Sequence, residues 1–261
     1  MIIDHLYAQG TRRYLMPAPT GNALVRSVVA FLLRPSASGG AELVLTRRSD
    51  RVRQPGDLCC PGGGAEPRMD AAIARLLRLP GTPLTRWPLW GRWRKDTGSD
   101  GHELAALMAT ALRESFEEIR LLPFGVRFLG VLPAQELVLF KRAIIPVVYW
   151  VPRQRRFRPN WEVDAMVSIP IAQLLSPGGY ICYRLRFTDG VRHPITGTAI
   201  KDFHGFRVEG GPDGTVVLWG ATLRMALDYL RIVHNFVPPA LGQLPVVARA
   251  IGSDYLTGNG R

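Results

Sequence analysis

The stretch Arg113-Glu114-Ser115-Phe116-Glu117-Glu118 places an arginine and three carboxylates within six residues. It lies in a span, about His102 to Arg120, whose apolar spacing predicts a helix. At about 100° per residue, Glu114, Glu117 and Glu118 share one face, because spacings of three and four bring side chains together. Met108, Leu112, Phe116 and Ile119 form an apolar stripe elsewhere on the same helix. One side is therefore expected to meet a core, and another gathers negative charge. Glu114 repels both Glu117 and Glu118, and a hard divalent cation with oxygen ligands would reverse that sign. Arg113 precedes Glu117 by four and can hold its carboxylate. A solvated helix face carrying an Arg–Glu pair has the same pattern. The segments around it decide between the two.

Working upstream, Ala23 to Leu33 is apolar and rich in Val, as a buried strand would be. Pro35 to Gly40 has turn composition, and Glu42 to Arg47 is a second strand, so the pair is expected to form a hairpin. Then come Arg47-Arg48-Ser49, Arg51, Arg53, Gln54-Pro55-Gly56 and Cys60-Pro61-Gly62-Gly63-Gly64. Three glycines after a proline predict a loop rather than a helix or strand. Such a loop lets backbone approach closely and turn its amides to an anion, although a plain Gly-Pro turn has the same composition.

Together the two segments resemble the Nudix box. That pattern runs from a Gly, through five residues to a Glu and seven more to Arg-Glu-apolar-x-Glu-Glu-x-Gly-apolar. Gly63 opens it here, and Arg113 to Leu121 closes it. The upstream piece is similar to the signature of the coenzyme A pyrophosphatase branch: Thr46, Arg48, Ser49, Arg53, Gly56, Pro61, Gly62 and Gly63 fit it. The spacing from Arg53 to Gly56 is one residue short, and Cys60 stands where that signature has Phe. Trp161-Glu162-Val163, Ile169-Pro170-Ile171 and Trp219-Gly220-Ala221-Thr222 continue the likeness, which spans roughly residues 23–235.

Four departures stand out. The segment Ala65 to Gly101 interrupts the box, and Met69 occupies the place of the first Glu, with Asp70 the nearest acid. Arg120 replaces the Gly after the Glu pair, which makes the turn there harder to form. Ser115 stands where an apolar residue is usual. Within the insertion, Met69 to Leu79 has helical spacing and Pro80 to Pro88 breaks it. Trp87, Trp90 and Trp93 then mix with Arg86, Arg92, Arg94 and Lys95, and Lys95 to Gly101 is expected to be a polar linker. Such a mixture suits stacking on a base or acyl chain, contact with an anionic membrane, or a loop packing its own tryptophans on the domain.

Farther on, Phe124 to Pro133, Arg142 to Val151, Glu162 to Ile169, Tyr180 to Phe187, Lys201 to Val208 and Thr215 to Leu218 are expected strands. Ile171 to Leu175 is expected as a short helix, and Ala221 to His234 as a helix with Leu223, Ala226, Leu227, Leu230 and Val233 on one face. Residues 1–22 are expected as an arm laid on the domain. Residues 236–261 are expected as a tail that wraps the surface or is loose. Arg153 to Pro159 is a basic loop that suits a phosphate contact or a solvated turn.

The net charge of +12, from 33 Lys and Arg against 21 Asp and Glu, favours anionic partners without choosing among them. Cys59, Cys60 and Cys182 make an odd count with no Cys-x-x-Cys, which suits a reducing cytoplasm better than a disulfide framework. Met1 to Pro19 has no apolar core of a signal peptide, and no apolar run approaches the ~18 residues of a membrane span. The five histidines show no ligand spacing, and no Gly-x-Gly-x-x-Gly, Gly-Lys-Ser/Thr or Gly-x-Ser-x-Gly occurs.

The expected fold is thus a mixed α/β sandwich of the Nudix type: a curved mixed sheet between helices, with an insertion inside the box. The resemblance implies a hydrolase that splits a diphosphate bond in a nucleoside diphosphate derivative, with coenzyme A or acyl-coenzyme A as the branch's substrate. It implies Mg2+ or Mn2+ held by Glu114, Glu117 and Glu118, with Arg113 orienting them. Arg48, Ser49, Arg53, Gly62 and Gly63 would face the substrate's phosphates, and Glu118 or Glu162 would be the base. The partner implied is a small molecule rather than nucleic acid, and oligomeric state is left open. The alternatives are another substrate (ADP-ribose, NADH or a nucleoside triphosphate) or a lapsed enzyme kept as a nucleic-acid-binding module.

Overall fold

A computed structural model of the chain describes residues 2–11, 25–137, 142–188, 190, 197–211, 214–252 and 255. Most of the expected N-terminal arm, His193 and the end of the tail lie outside these residues. The described part of the arm is helical: α1 (Ile2–Leu6) runs into a π-helical turn (Tyr7–Thr11), with Leu6 and Tyr7 buried.

The hairpin forms as expected, from β1 (Val25–Pro35) and β2 (Ala41–Arg48), paired antiparallel. β1 is the centre of the molecule. Side chains alternate faces along a strand, and both of its sets are apolar. Val28, Ala30 and Leu32 enter one core cluster; Val29, Phe31 and Leu33 enter the other. A strand buried on both faces needs cover on both.

The next elements are β3 (Leu58–Cys59), β4 (Gly62–Gly64), α2 (Pro67–Leu77), α3 (Trp90–Thr97) and α4 (His102–Ile119). Then follow β5 (Arg127–Val131), β6 (Gln135–Leu137), β7 (Arg142–Trp150), β8 (Val163–Pro170) and α5 (Ile171–Leu174). The chain ends with β9 (Tyr180–Phe187), β10 (Ile200–Gly211), β11 (Gly214–Trp219), α6 (Gly220–His234) and β12 (Val246–Ile251).

The larger sheet has eight strands. Its main path is β3-β2-β1-β7-β5, with β4 on β1, β6 on β7 and β8 on β2. Only β1 and β7 run parallel among its described pairings, so the sheet is mixed. α4 covers one face through Leu104, Met108 and Leu112. α6 covers the other through Leu223, Ala226 and Leu230, the face expected from its spacing. A four-stranded sheet, β11-β10-β9-β12, packs Ile181, Tyr183 and Leu185 with Ile251 and Tyr255 in a third cluster.

Several expectations need correction. The glycine triplet is strand β4, not a loop: Gly62 and Gly63 sit opposite Val29 and Val28 of β1. Within the expected tail, Val246–Ile251 is a strand rather than loose chain. Val246–Ile251 pairs in parallel register with β9 and closes the small sheet. Of the three readings of the tryptophan segment, packing of its own indoles on the domain is the one seen for Trp87 and Trp93: both are buried in the core beside α4, so neither is free to stack on a ligand or enter a membrane. The tryptophan segment is helical as far as Thr97, where the expected linker begins two residues earlier, and Gly98 in the left-handed region ends it. Pro123–Gly125 is a single 3₁₀ turn ahead of β5, a later start than expected for that strand.

Within α4, Met108, Leu112 and Ile119 are buried, but Phe116 is 41% exposed and departs from the expected stripe. Ser115 is fully buried at its apolar position, and its hydroxyl donates to the Ala111 carbonyl at 2.7 Å. That bond satisfies the polar group within the helix. Arg120 ends α4 with φ +57°, a left-handed conformation that favours glycine, and its guanidinium lies 4.9 Å from the Phe116 ring. Arg120→Gly is expected to raise stability by about 0.5–1 kcal/mol, backbone relief outweighing the lost cation–π contact. Urea melts of the two proteins would measure it, and a destabilised variant would refute it.

Candidate active site

Arg113 joins the parts of the site. It is 8% exposed, and all its nitrogens are used. Nε donates to Asp70 Oδ1 at 2.8 Å, and Nη2 donates to the Gly64 carbonyl at 2.8 Å. Nη1 reaches Glu114 at 3.1 Å and Glu117 at 3.3 Å. One side chain thus ties α4 to the glycine strand and to the inserted helix α2. Burial opposes its charge, but Asp70 and Glu114 overcome that and raise its pKa further above the ordinary arginine value.

Asp70 was not among the expected site residues. α2 begins with Pro67 at its first turn and buries Asp70, Ala74 and Leu77, which share one face at spacings of four and three. Besides Arg113, the Asp70 carboxylate accepts from Thr110 Oγ1 at 2.7 Å and from the Glu66 amide at 2.8 Å. A buried carboxylate needs such a set of donors. In sequence, the only signal was its position one residue past the box's missing Glu.

Two of the three expected glutamates, Glu114 and Glu118, meet the glycines. The Gly62 amide donates to Glu118 Oε1 at 3.4 Å. A Cβ on Gly63 would lie 2.6 Å from the Glu114 carboxylate, and one on Gly62 would lie 2.4 Å from the Val28 carbonyl oxygen. Gly62 therefore excludes a side chain, and a side chain at Gly63 would displace the Glu114 carboxylate. Glu117 is the outer member, 47% exposed at its side chain.

Electrostatically the cluster is unbalanced. Burial, with Glu114 and Glu162 nearby, pushes the Glu118 carboxyl up to about 8, against the Gly62 amide and Arg48. Glu114 is also raised, chiefly by burial and further by Glu117 and Glu162, although Arg113 opposes this. Glu162 stands just before β8, and its carbonyl accepts from the Ser49 amide at 2.9 Å. Oxygen-only donors that raise one another's pKa fit a hard divalent cation. Among the described residues, no three acidic, histidine or cysteine side chains already converge as a ligating set. The donor chemistry and the burial of Glu118 fit such an ion.

The other expected contacts divide. Arg48 is half-buried, with Nε donating to the Arg53 carbonyl at 2.6 Å, and it lowers the Glu118 pKa. Arg53 is exposed. Ser49 is buried, and its Oγ accepts from the Arg51 amide at 3.3 Å, so its hydroxyl shapes the turn. The turn is held from behind by Asp57, which accepts from Arg249 at 2.9 Å, from Trp219 Nε1 at 3.3 Å and from the Tyr255 hydroxyl. Burial raises the Asp57 pKa against those donors. Nothing in the sequence pattern signalled this anchor.

No family model matches the chain. It is 38% identical over 77 residues to the uncharacterized Nudix hydrolase NudL of Escherichia coli O1:K1, covering 29% of this chain and 40% of that protein. The NudL of Salmonella paratyphi B is 39% identical over 77 residues, with the same shares covered. Over that stretch the chain resembles a Nudix hydrolase. It spans about two fifths of the length of the NudL proteins it matches. Among solved structures, a Nudix hydrolase from Alicyclobacillus acidocaldarius is similar, with TM-score 0.41 and 20% identity over 60% of this chain and 83% of that one. A Nudix hydrolase from Nitrosomonas europaea gives TM-score 0.40 and 11% identity over 88% and 82%. The glycines of the Nudix-like pattern lie on β4 and its glutamates on α4, side by side.

Proposed function

We propose that this chain is a divalent-metal-dependent hydrolase of a diphosphate bond in nucleoside diphosphate derivatives, acting on coenzyme A or acyl-coenzyme A. Its products would be phosphopantetheine and adenosine 3′,5′-bisphosphate. The observation that carries the reading is the gathering of Glu114 and Glu118 against Gly62 and Gly63, with Arg113 locked to Asp70 behind them.

Glu114, Glu117 and Glu118 would hold Mg2+ or Mn2+. Such an ion supplies charge neutralisation at the diphosphate and a more acidic water. Arg113 fixes Glu114 and Glu117 so that their oxygens need not reorganise. Gly62 and Gly63 keep that wall free of side chains, so phosphate oxygens can come close to the carboxylates. Arg48 and Arg53, on the turn beside Ser49, supply positive charge for the substrate's phosphates. The proton acceptor is Glu118 or Glu162, each electrostatically coupled to Glu114. Cys59, Cys60 and Cys182 are free thiols, which supports a reducing cytoplasm as the setting. Among the described residues, no helix is long and apolar enough to cross a membrane.

The test is mass spectrometry of products after incubation with Mg2+ and coenzyme A, acyl-coenzyme A, NADH or ADP-ribose. Phosphopantetheine and adenosine 3′,5′-bisphosphate are the expected products. Turnover of ADP-ribose or NADH alone would move the substrate assignment. Absence of turnover on the whole panel would end the hydrolase reading.

A further inference from the structure

One end of α4 abuts the basic loop that the catalytic proposal leaves unused. The Arg158 amide donates to the Ile119 carbonyl at 3.0 Å, and the Asn160 amide donates to the Glu118 carbonyl at 2.7 Å. Gln154 Nε2 donates to the Arg120 carbonyl at 3.0 Å, while the Leu122 amide donates back to Gln154 Oε1 at 2.9 Å. These bonds satisfy the helix's last carbonyls and fix the loop by its backbone. The arginine side chains are not needed for that.

Between helix end and loop lies a groove of about 460 Å³, lined by Arg120, Leu122, Gln154, Arg156, Arg158 and Asn160. Arg120, Arg156 and Arg158 are exposed. Among the described residues, none of the three guanidiniums is paired with a carboxylate. Three like charges around one cavity repel, and an anion there would relieve them. The groove also adjoins the carboxylates. Asn160 on its rim bonds the Glu118 backbone, and its Oδ1 accepts from the Glu162 amide at 2.9 Å. Trp161, between those two residues, is 60% exposed.

We infer that this groove binds a phosphate monoester that the substrate carries in addition to its diphosphate. The inference rests on the diphosphate-hydrolase reading. Guanidinium forks match the oxygens of a terminal phosphate, and the cavity is of small-molecule size rather than a track for a polymer. Asn160 and the open indole of Trp161 join the groove to Glu118 and Glu162, so one ligand with its diphosphate at Gly62 can reach the arginines. The site therefore selects phosphorylated nucleotides over those with an unmodified ribose.

The double variant Arg156→Gln, Arg158→Gln tests this in the full-length protein. Its KM for coenzyme A is expected to rise by about tenfold more than its KM for 3′-dephospho-coenzyme A, as losing charge-assisted contacts to one phosphate requires. Equal changes in both KM values, or none, would overturn the inference while leaving the hydrolase reading intact. Should neither compound be turned over, calorimetry with adenosine 3′,5′-bisphosphate decides the groove separately. Binding weakened about tenfold in the variant supports it. Unchanged or absent binding to the wild-type protein refutes it, as does a single-stranded oligonucleotide displacing the nucleotide in an arginine-dependent way.

Discussion

Glu118→Gln is expected to lower diphosphate turnover by about 10²–10⁴-fold and, at the same time, to stabilise the metal-free protein near pH 8. The two effects have one origin. Burial, with Glu114 and Glu162 nearby, pushes the folded Glu118 pKa up to about 8, above the ordinary 4.5. Between those values the folded chain keeps a proton that the unfolded chain has released. Stability from this group is therefore full below about pH 4.5, falls as pH rises, and is lost by about pH 8. The penalty is on the order of a few kcal/mol. Glutamine carries no such penalty, so its melting temperature should fall less over that window. Added Mg2+ should raise the wild-type melting temperature most at the alkaline end, and raise that of the variant much less. Thermal melts from pH 5 to 9, with and without Mg2+, measure this alongside turnover. If both proteins show the same pH dependence, the account of Glu118 is wrong.

Asp70→Ala is expected to cost about 3–5 kcal/mol of stability, because Arg113 loses the most buried of its three carboxylate partners and its Nε loses its acceptor. Thr110 Oγ1 and the Glu66 amide would lose their acceptor too. Asp70→Asn should cost less, since an amide oxygen can still accept one of these bonds. In protein that remains folded, kcat should fall while KM changes little, because Arg113 positions the carboxylates and makes no proposed contact with the substrate. Urea titrations and steady-state kinetics of both variants check this. A shift in KM alone would place Asp70 at the substrate instead.

Much of this architecture follows from local pattern. The double alternation of β1, the α4 stripe through Met108 and Leu112, and the apolar face of α6 are periodicities, and periodicity survives in a bare sequence. What was not legible depends on distant partners. Gly62–Gly64 forms a strand because it pairs with β1, where Gly62 comes too close for a Cβ, and no local propensity encodes that. Val246–Ile251 becomes a strand only because β9 offers an edge far back in the chain. Trp87 and Trp93 look the same in composition whether they face a ligand or a core; the packing of the insertion against α4 decides it. Asp70 and Arg113 are 43 residues apart, so their pairing is a tertiary fact. The approach of Glu114 and Glu118 to Gly62 and Gly63 was legible as types and spacings, but Asp57 behind the Ser49 turn was not.

The box is divided in the chain yet undivided in space. What keeps the glycines beside the glutamates is Arg113 gripping Asp70 and the Gly64 carbonyl, together with the pairing of β4 on β1. Covalent continuity between α3 and α4 contributes little to that closeness. Two polypeptides severed at Ser99 should thus find each other through Asp70 and Arg113 and rebuild the proposed centre without a peptide bond between its halves.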